Sequence, residues 1–245
     1  MDIRSEAIVY ESNGIPLHGF VAWDAAKTGK RPGVLVVHEW WGADEHGQKR
    51  ARQLAELGYT ALALDMYGHG KIAKTPDEAG KLMTQVLSDP ATLKKRFEAG
   101  RSRLAQETST DATRTAAIGF CFGGTVVLEM ARAGADLRAV AAFHPGSLDS
   151  KNKAREGAVK TKVLVAIGAD DPFVSAEQRE SFRCEMSSAR VEHELVEYPG
   201  AKHGFMVEAA TERGQKYGLP LAHDAKAERD AWERMRKLLV RALEK

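Results

Sequence analysis

The stretch Gly119-Phe120-Cys121-Phe122-Gly123-Gly124 limits what this chain can fold into more than any other. It follows a short run at 115–118 with strand character and opens a segment at 123–133 that reads as a helix. A strand that turns into a helix within a residue or two needs a sharp, strained bend. Gly119 and Gly123 leave room for the backbone there, and the central side chain is pushed outward. The pattern Gly-x-Cys-x-Gly therefore predicts a strand, a tight turn carrying Cys121, and a helix packed close behind. Taken alone, the stretch fits a buried cysteine in a glycine-rich junction equally well.

The remaining chain alternates strands and helices. Segments 3–10 and 15–23 flank Asn13-Gly14, a turn signal that predicts an opening β-hairpin. Val34-Leu35-Val36-Val37 is apolar throughout, as in a strand covered on both faces. A helix follows over 44–57, with Leu54 and Leu57 inward and Gly58 as its stop. Further strands are expected at 60–64, 137–143, 162–167 and 191–198, and further helices at 76–87, 91–107 and 176–188. In the final helix Ala227, Ala231, Met235 and Leu238 form an apolar stripe beside Trp232 and Leu239. This order predicts one α/β domain over residues 1–245, with a mostly parallel, doubly wound sheet of about seven or eight strands. No repeat, low-complexity tract or linker interrupts it.

Composition narrows the partners. A net charge of +2 over 245 residues implies neither a nucleic acid nor an acidic membrane surface. Basic clusters such as Lys94-Lys95-Arg96 are interrupted by apolar residues and suit solvated helix faces. Two cysteines, Cys121 and Cys184, make no disulfide framework. The charged start Met1-Asp2-Ile3-Arg4 has no apolar signal-peptide core, and no segment is long enough to span a membrane. A soluble, cytoplasmic protein is expected, and a free thiol at the turn is compatible with that compartment.

In a sheet of this kind, working residues sit beyond the carboxyl ends of strands. Those ends carry His38-Glu39-Trp40-Trp41-Gly42, Asp65-Met66-Tyr67-Gly68-His69, Cys121, His144, Asp170-Asp171-Pro172-Phe173 and Lys202-His203-Gly204-Phe205. The order Cys121, then Asp170 or Asp171, then His203 is nucleophile, acid, base. Three matches at strand ends are far harder to obtain by chance than the turn alone.

With these residues in view, the chain from about residue 34 to the final helix resembles the dienelactone hydrolase (carboxymethylenebutenolidase) family of α/β-hydrolases. The matching segments are VVHEWWG at 36–42, ALDMYG at 63–68, GFCFGG at 119–124, GADDPFV at 168–174 and YPGAKHGF at 198–205. The resemblance implies an α/β-hydrolase fold without a separate lid domain, and a carboxylic ester hydrolase acting on small esters or lactones. It implies Cys121 as nucleophile, His203 as base and acid, and an aspartate orienting the imidazole. Alignment of Gly-x-x-Asp-x-Phe-Val places Asp171 there, with Asp170 as its neighbour. Glu39 matches the family glutamate that holds the resting thiol until substrate displaces it. The backbone N–H groups of Trp40 and Phe122 are the implied oxyanion hole. Trp41, Tyr67, His69 and Phe205 are candidates for the substrate pocket. The reaction implied proceeds through a thioester and needs no metal or organic cofactor.

Two departures concern the substrate. Family members bind the carboxylate of dienelactone with two arginines, and the matching positions here are His69 and Val207. Valine cannot replace a bidentate guanidinium anchor, which leaves Arg213 or Lys202 as possible substitutes. Other features are blander. His38-Glu39 fails as a zinc His-Glu-x-x-His motif because Gly42 holds the fifth position. Gly68-His69-Gly70-Lys71 lacks the first glycine and the Ser/Thr of a phosphate loop. His144 reads as a structural histidine. The alternatives to a cysteine hydrolase are a thiol redox protein pairing Cys121 with Cys184, and a binding scaffold that has lost catalysis. A scaffold has no reason to keep nucleophile, base, acid and glutamate together.

Overall fold

A computed structural model describes residues 1–243. In chain order it contains β1 (Ile3–Ser12), β2 (Ile15–Asp24), β3 (Arg31–Val37), α1 (Glu45–Glu56), β4 (Thr60–Ala63), α2 (Pro76–Leu87), α3 (Pro90–Ala105), β5 (Thr110–Phe120), α4 (Phe122–Arg132), β6 (Ala139–Phe143), β7 (Lys162–Gly168), α5 (Ala176–Ser188), β8 (His193–Tyr198), α6 (Ala210–Tyr217) and α7 (Ala225–Leu243). The strands form one mostly parallel sheet in the order β1-β2-β4-β3-β5-β6-β7-β8. Two compact units divide the chain, Met1–Ala117 and the part from Ile118 onward, and the boundary falls inside β5.

In the first unit, β1 and β2 pair antiparallel from Ile3 opposite Asp24 to Ser12 opposite Ile15. Asn13 (φ 52°) and Gly14 (φ 76°) make the turn, and both take the positive φ that a two-residue hairpin loop of this hand requires. β2 runs antiparallel to β4, and β4 runs parallel to β3, which is buried along its whole length. α1 starts where the Asp44 carboxylate accepts the His46 N–H at 3.1 Å, and it buries Ala51, Leu54 and Ala55. Thr75 and Asp89 cap α2 and α3 in the same way, each before a proline that suits a first helical turn.

In the second unit, β6, β7 and β8 are parallel neighbours. Ser175 caps α5 by accepting the Gln178 N–H at 3.3 Å. The stripe Ala227, Ala231, Met235 and Leu238 of α7 is buried, with Leu239. Two elements differ from the expectation. β5 begins at Thr110, earlier than the run at 115–118, because its polar first half alternates without an apolar signal. α6 is absent from the sequence reading. Its residues ATERGQKY carry no apolar stripe, and only Ala210 and Gly214 are buried. Among the described residues, no helix is long and apolar enough to cross a membrane.

Candidate active site

The second unit brings together the three residues that the strand ends suggested. Cys121 stands between the last residue of β5 and the first of α4, at φ 52° and ψ −115°. A non-glycine residue held there costs about 1–3 kcal/mol, so the surroundings must enforce it. They do so through three bonds. The Cys121 N–H donates to the Phe143 carbonyl at 3.0 Å, and its carbonyl accepts from Thr125 and Gly146 N–H at 3.2 Å each. Gly119 is required by close approach, since a Cβ there would stand 2.0 Å from the Gly123 oxygen.

The candidate acid follows β7. Asp171 is buried, and its Oδ2 lies 2.8 Å from Nδ1 of His203 while Oδ1 accepts the Phe173 N–H at 2.9 Å. Asp170 is exposed, with its N–H on the Ala201 carbonyl at 3.1 Å. Gly168 allows the segment of Asp171 to meet the segment of His203, because a Cβ there would come 2.2 Å from the Ala201 oxygen.

His203 is buried and hydrogen-bonds to Cys121 as well as Asp171. With Nδ1 donating to the carboxylate, Nε2 is the nitrogen left for the sulfur. Burial works against the imidazolium, but the charge of Cys121 and the bond to Asp171 outweigh it, and the pKa rises to about 10. The His144 ring, fully buried, packs 5.0 Å from the His203 ring. Phe173 meets His203 edge-on at 4.8 Å and leaves 44% of its own surface exposed. Phe205, considered for the pocket wall, is fully buried between His144 at 5.5 Å and Tyr198 at 5.3 Å. Val207 is buried and Lys202 exposed.

In the first unit, Glu39 is buried at the segment after β3, and Trp40 packs on Trp41 at 5.1 Å. Tyr67, another pocket candidate, is buried, and its hydroxyl donates to the Trp40 carbonyl at 2.9 Å. His69 is exposed at φ 60°, with its N–H on the Pro16 carbonyl at 2.7 Å. Asp65 is fully buried and accepts four backbone N–H groups, from Tyr67, Gly68, Gly70 and His18.

Two contributors escaped the sequence reading. Arg179, on α5, is buried, and its Nη2 reaches the carbonyls of Gly168, Ala169 and Asp171 at 3.2, 3.3 and 3.4 Å. His38, set aside as a failed zinc ligand, is buried and bonds the carbonyl of Glu39 through Nδ1 at 2.5 Å. Neither has a sequence signal, because their partners are backbone groups, which every residue carries. Both cysteines are free thiols, Cys121 buried and Cys184 exposed on α5.

A doubly wound sheet with a strained turn residue after one strand, an acid after a later one and a histidine after the last defines the α/β-hydrolase class. Comparison with known proteins narrows this. The dienelactone hydrolase family matches residues 17–243. Protein usf of Aquifex pyrophilus is 28% identical over 212 residues, covering 83% of this chain and 87% of that one. The solved structure of the dienelactone hydrolase-like promiscuous phosphotriesterase P91, from metagenomic libraries, is 32% identical with a TM-score of 0.92, covering 99% of this chain and all of that one. A structure named m3DLH is 35% identical at the same TM-score, with 99% and 100% coverage. The chain belongs to the dienelactone hydrolase family, and it is a carboxylic ester hydrolase.

Proposed function

We propose that this protein hydrolyses small carboxylic esters or lactones through a thioester on Cys121. The observation that carries the reading is the hydrogen-bonded series from Cys121 through His203 to Asp171. The thiolate attacks the carbonyl carbon, forming a C–S bond and a tetrahedral oxyanion. Collapse breaks the bond to the leaving oxygen, which takes a proton from Nε2 of His203. His203 then removes a proton from water, whose oxygen attacks the thioester. The C–S bond breaks, the acid leaves and the thiolate returns. Asp171 keeps the imidazole in the required tautomer throughout.

The backbone N–H groups of Trp40 and Phe122 are assigned to the oxyanion. Phe122 opens α4, where the first N–H groups of a helix have no acceptor within it. Glu39 is assigned as the partner of the resting thiol, released when substrate binds. Its burial supports this, since a carboxylate is seldom buried without a task or a partner. With His69 and Val207 in place of the arginines, a neutral ester is the better substrate than the dienelactone anion. The name of P91 makes phosphotriesters a second class to offer the same thiolate. The cytoplasm is the proposed location.

The decisive experiment is hydrolysis of a short aryl ester by wild type, Cys121→Ala and Glu39→Gln. Cys121→Ala should lose about 10⁴-fold or more in kcat, and Glu39→Gln should change the rate at which iodoacetamide labels the resting enzyme. A Cys121→Ala variant as active as wild type refutes the nucleophile. An unchanged labelling rate and pH profile refutes the role of Glu39.

A further inference from the structure

Trp40 is held by its backbone on both sides, and both holds come from side chains no motif assigns to catalysis. On the near side, Nε2 of His38 accepts the Met66 N–H at 3.1 Å, so the ring proton must sit on Nδ1. Nδ1–H then donates to the Glu39 carbonyl at 2.5 Å, and the same oxygen also accepts the Gly42 N–H at 3.2 Å. Burial lowers the pKa of His38 and keeps the ring in this neutral form. The Glu39 carbonyl and the Trp40 N–H belong to one planar trans peptide, so they point in opposite directions. Fixing the oxygen fixes the N–H. On the far side, the Tyr67 hydroxyl donates to the Trp40 carbonyl at 2.9 Å. The His38 and Tyr67 rings also pack edge-on at 4.7 Å.

The anchors are themselves anchored. The buried Asp65 carboxylate gathers the N–H groups of Tyr67, Gly68 and Gly70, and Arg96 donates to the Met66 carbonyl at 2.6 Å. Asp65-Met66-Tyr67 therefore forms a rigid base from which His38 and Tyr67 reach the peptides before and after Trp40.

We infer that His38 and Tyr67 are positioning residues that aim the Trp40 N–H as an oxyanion donor. The inference rests on the assignment of that N–H to the oxyanion hole. It makes the segment after β4 the support of the hole. A donor aimed in advance costs no reorganisation when charge develops on the carbonyl oxygen, which is how such sites accelerate acyl transfer.

Asparagine and glutamine separate this role from mere packing, because each keeps only one of the two nitrogen positions of histidine. His38→Asn places an amide N–H near Nδ1 and can still donate to the Glu39 carbonyl. His38→Gln puts its amide near Nε2 and cannot. His38→Gln should lose on the order of thirtyfold in kcat at nearly constant KM, less than the about 10²–10³-fold cost of removing an oxyanion donor outright, and His38→Asn should recover most of it. Tyr67→Phe should lose about threefold to tenfold. A trifluoromethyl ketone that adds to the thiolate and forms an oxyanion should weaken by the same factors as kcat/KM. Asn and Gln variants with equal activity, or inhibitor affinity that does not follow kcat/KM, would overturn the inference, as would a fully active Tyr67→Phe. If the wild-type enzyme forms no covalent adduct with the ketone, it is the thiolate mechanism that fails.

Discussion

Asp171 and its neighbour show how much a single residue position decides. Only Asp171 is buried with its carboxylate on His203, while Asp170 faces solvent. Asp171→Asn should lower kcat by about 10³–10⁴-fold, since the amide favours the wrong imidazole tautomer. Asp170→Asn should stay within about twofold, and a steady-state assay of both variants checks the pair. His203 carries the matching prediction for pH. Its pKa is raised to about 10 by the Cys121 charge and the Asp171 bond, against the opposing effect of burial. The unfolded chain releases that proton near about pH 6.5. The contribution of His203 to stability is therefore complete below about pH 6.5 and is lost as pH rises through about 10. Urea midpoints between about pH 6.5 and 10 should fall more steeply in wild type than in His203→Gln. Parallel curves would contradict the raised pKa.

At the scale of elements, the segment of Asp171, between β7 and α5, is held by a side chain of α5. Arg179 collects three carbonyls of residues 168–171, and its Nη1 bonds Glu197 of β8 at 2.7 Å. Glu197 also takes Arg183, so removing Arg179 leaves the carboxylate a partner but strips the carbonyls of theirs. Arg179→Met should destabilise the fold by about 2 kcal/mol. It should also lower kcat, as Asp171 loses its fixed approach to His203. Arg179→Lys should recover only part of this, because a point charge cannot reproduce the planar fork. Urea unfolding beside kcat for the three proteins tests it; a stable, fully active Arg179→Met would remove the clamp from the account. Gly119 and Gly168 act at the same scale, since each allows two segments to approach where a Cβ would lie 2.0 or 2.2 Å from a carbonyl oxygen.

At the scale of the whole molecule, the chain has two compact units, Met1–Ala117 and the part from Ile118 onward. The boundary between them lies within β5, whose residues Thr110 to Phe120 form one strand of the eight-stranded sheet. We propose a single domain, because a strand shared by two units cannot keep its order when one of them unfolds. Calorimetry should show one transition, with calorimetric and van't Hoff enthalpies equal. Two resolved transitions, or a stable fragment ending near residue 117, would show independent domains.

The sequence alone determined the alternation of strands and helices, the hairpin at Asn13-Gly14, the cysteine turn and the family. These are local in origin: apolar runs, caps and turn residues act on neighbours a few positions away. The candidates Cys121, Asp171 and His203 were legible too, because a parallel sheet puts the ends of its strands on one side and each end could be inspected in turn. The choice between Asp170 and Asp171 was not settled by residue type, since adjacent carboxylates differ only in which one the fold buries. α6 was invisible because its burial rests on an alanine and a glycine. Arg179, His38 and the use of Tyr67 were decided by tertiary structure alone. Each bonds a backbone carbonyl, a group every residue carries, so no pattern of side chains could reveal which one it would reach.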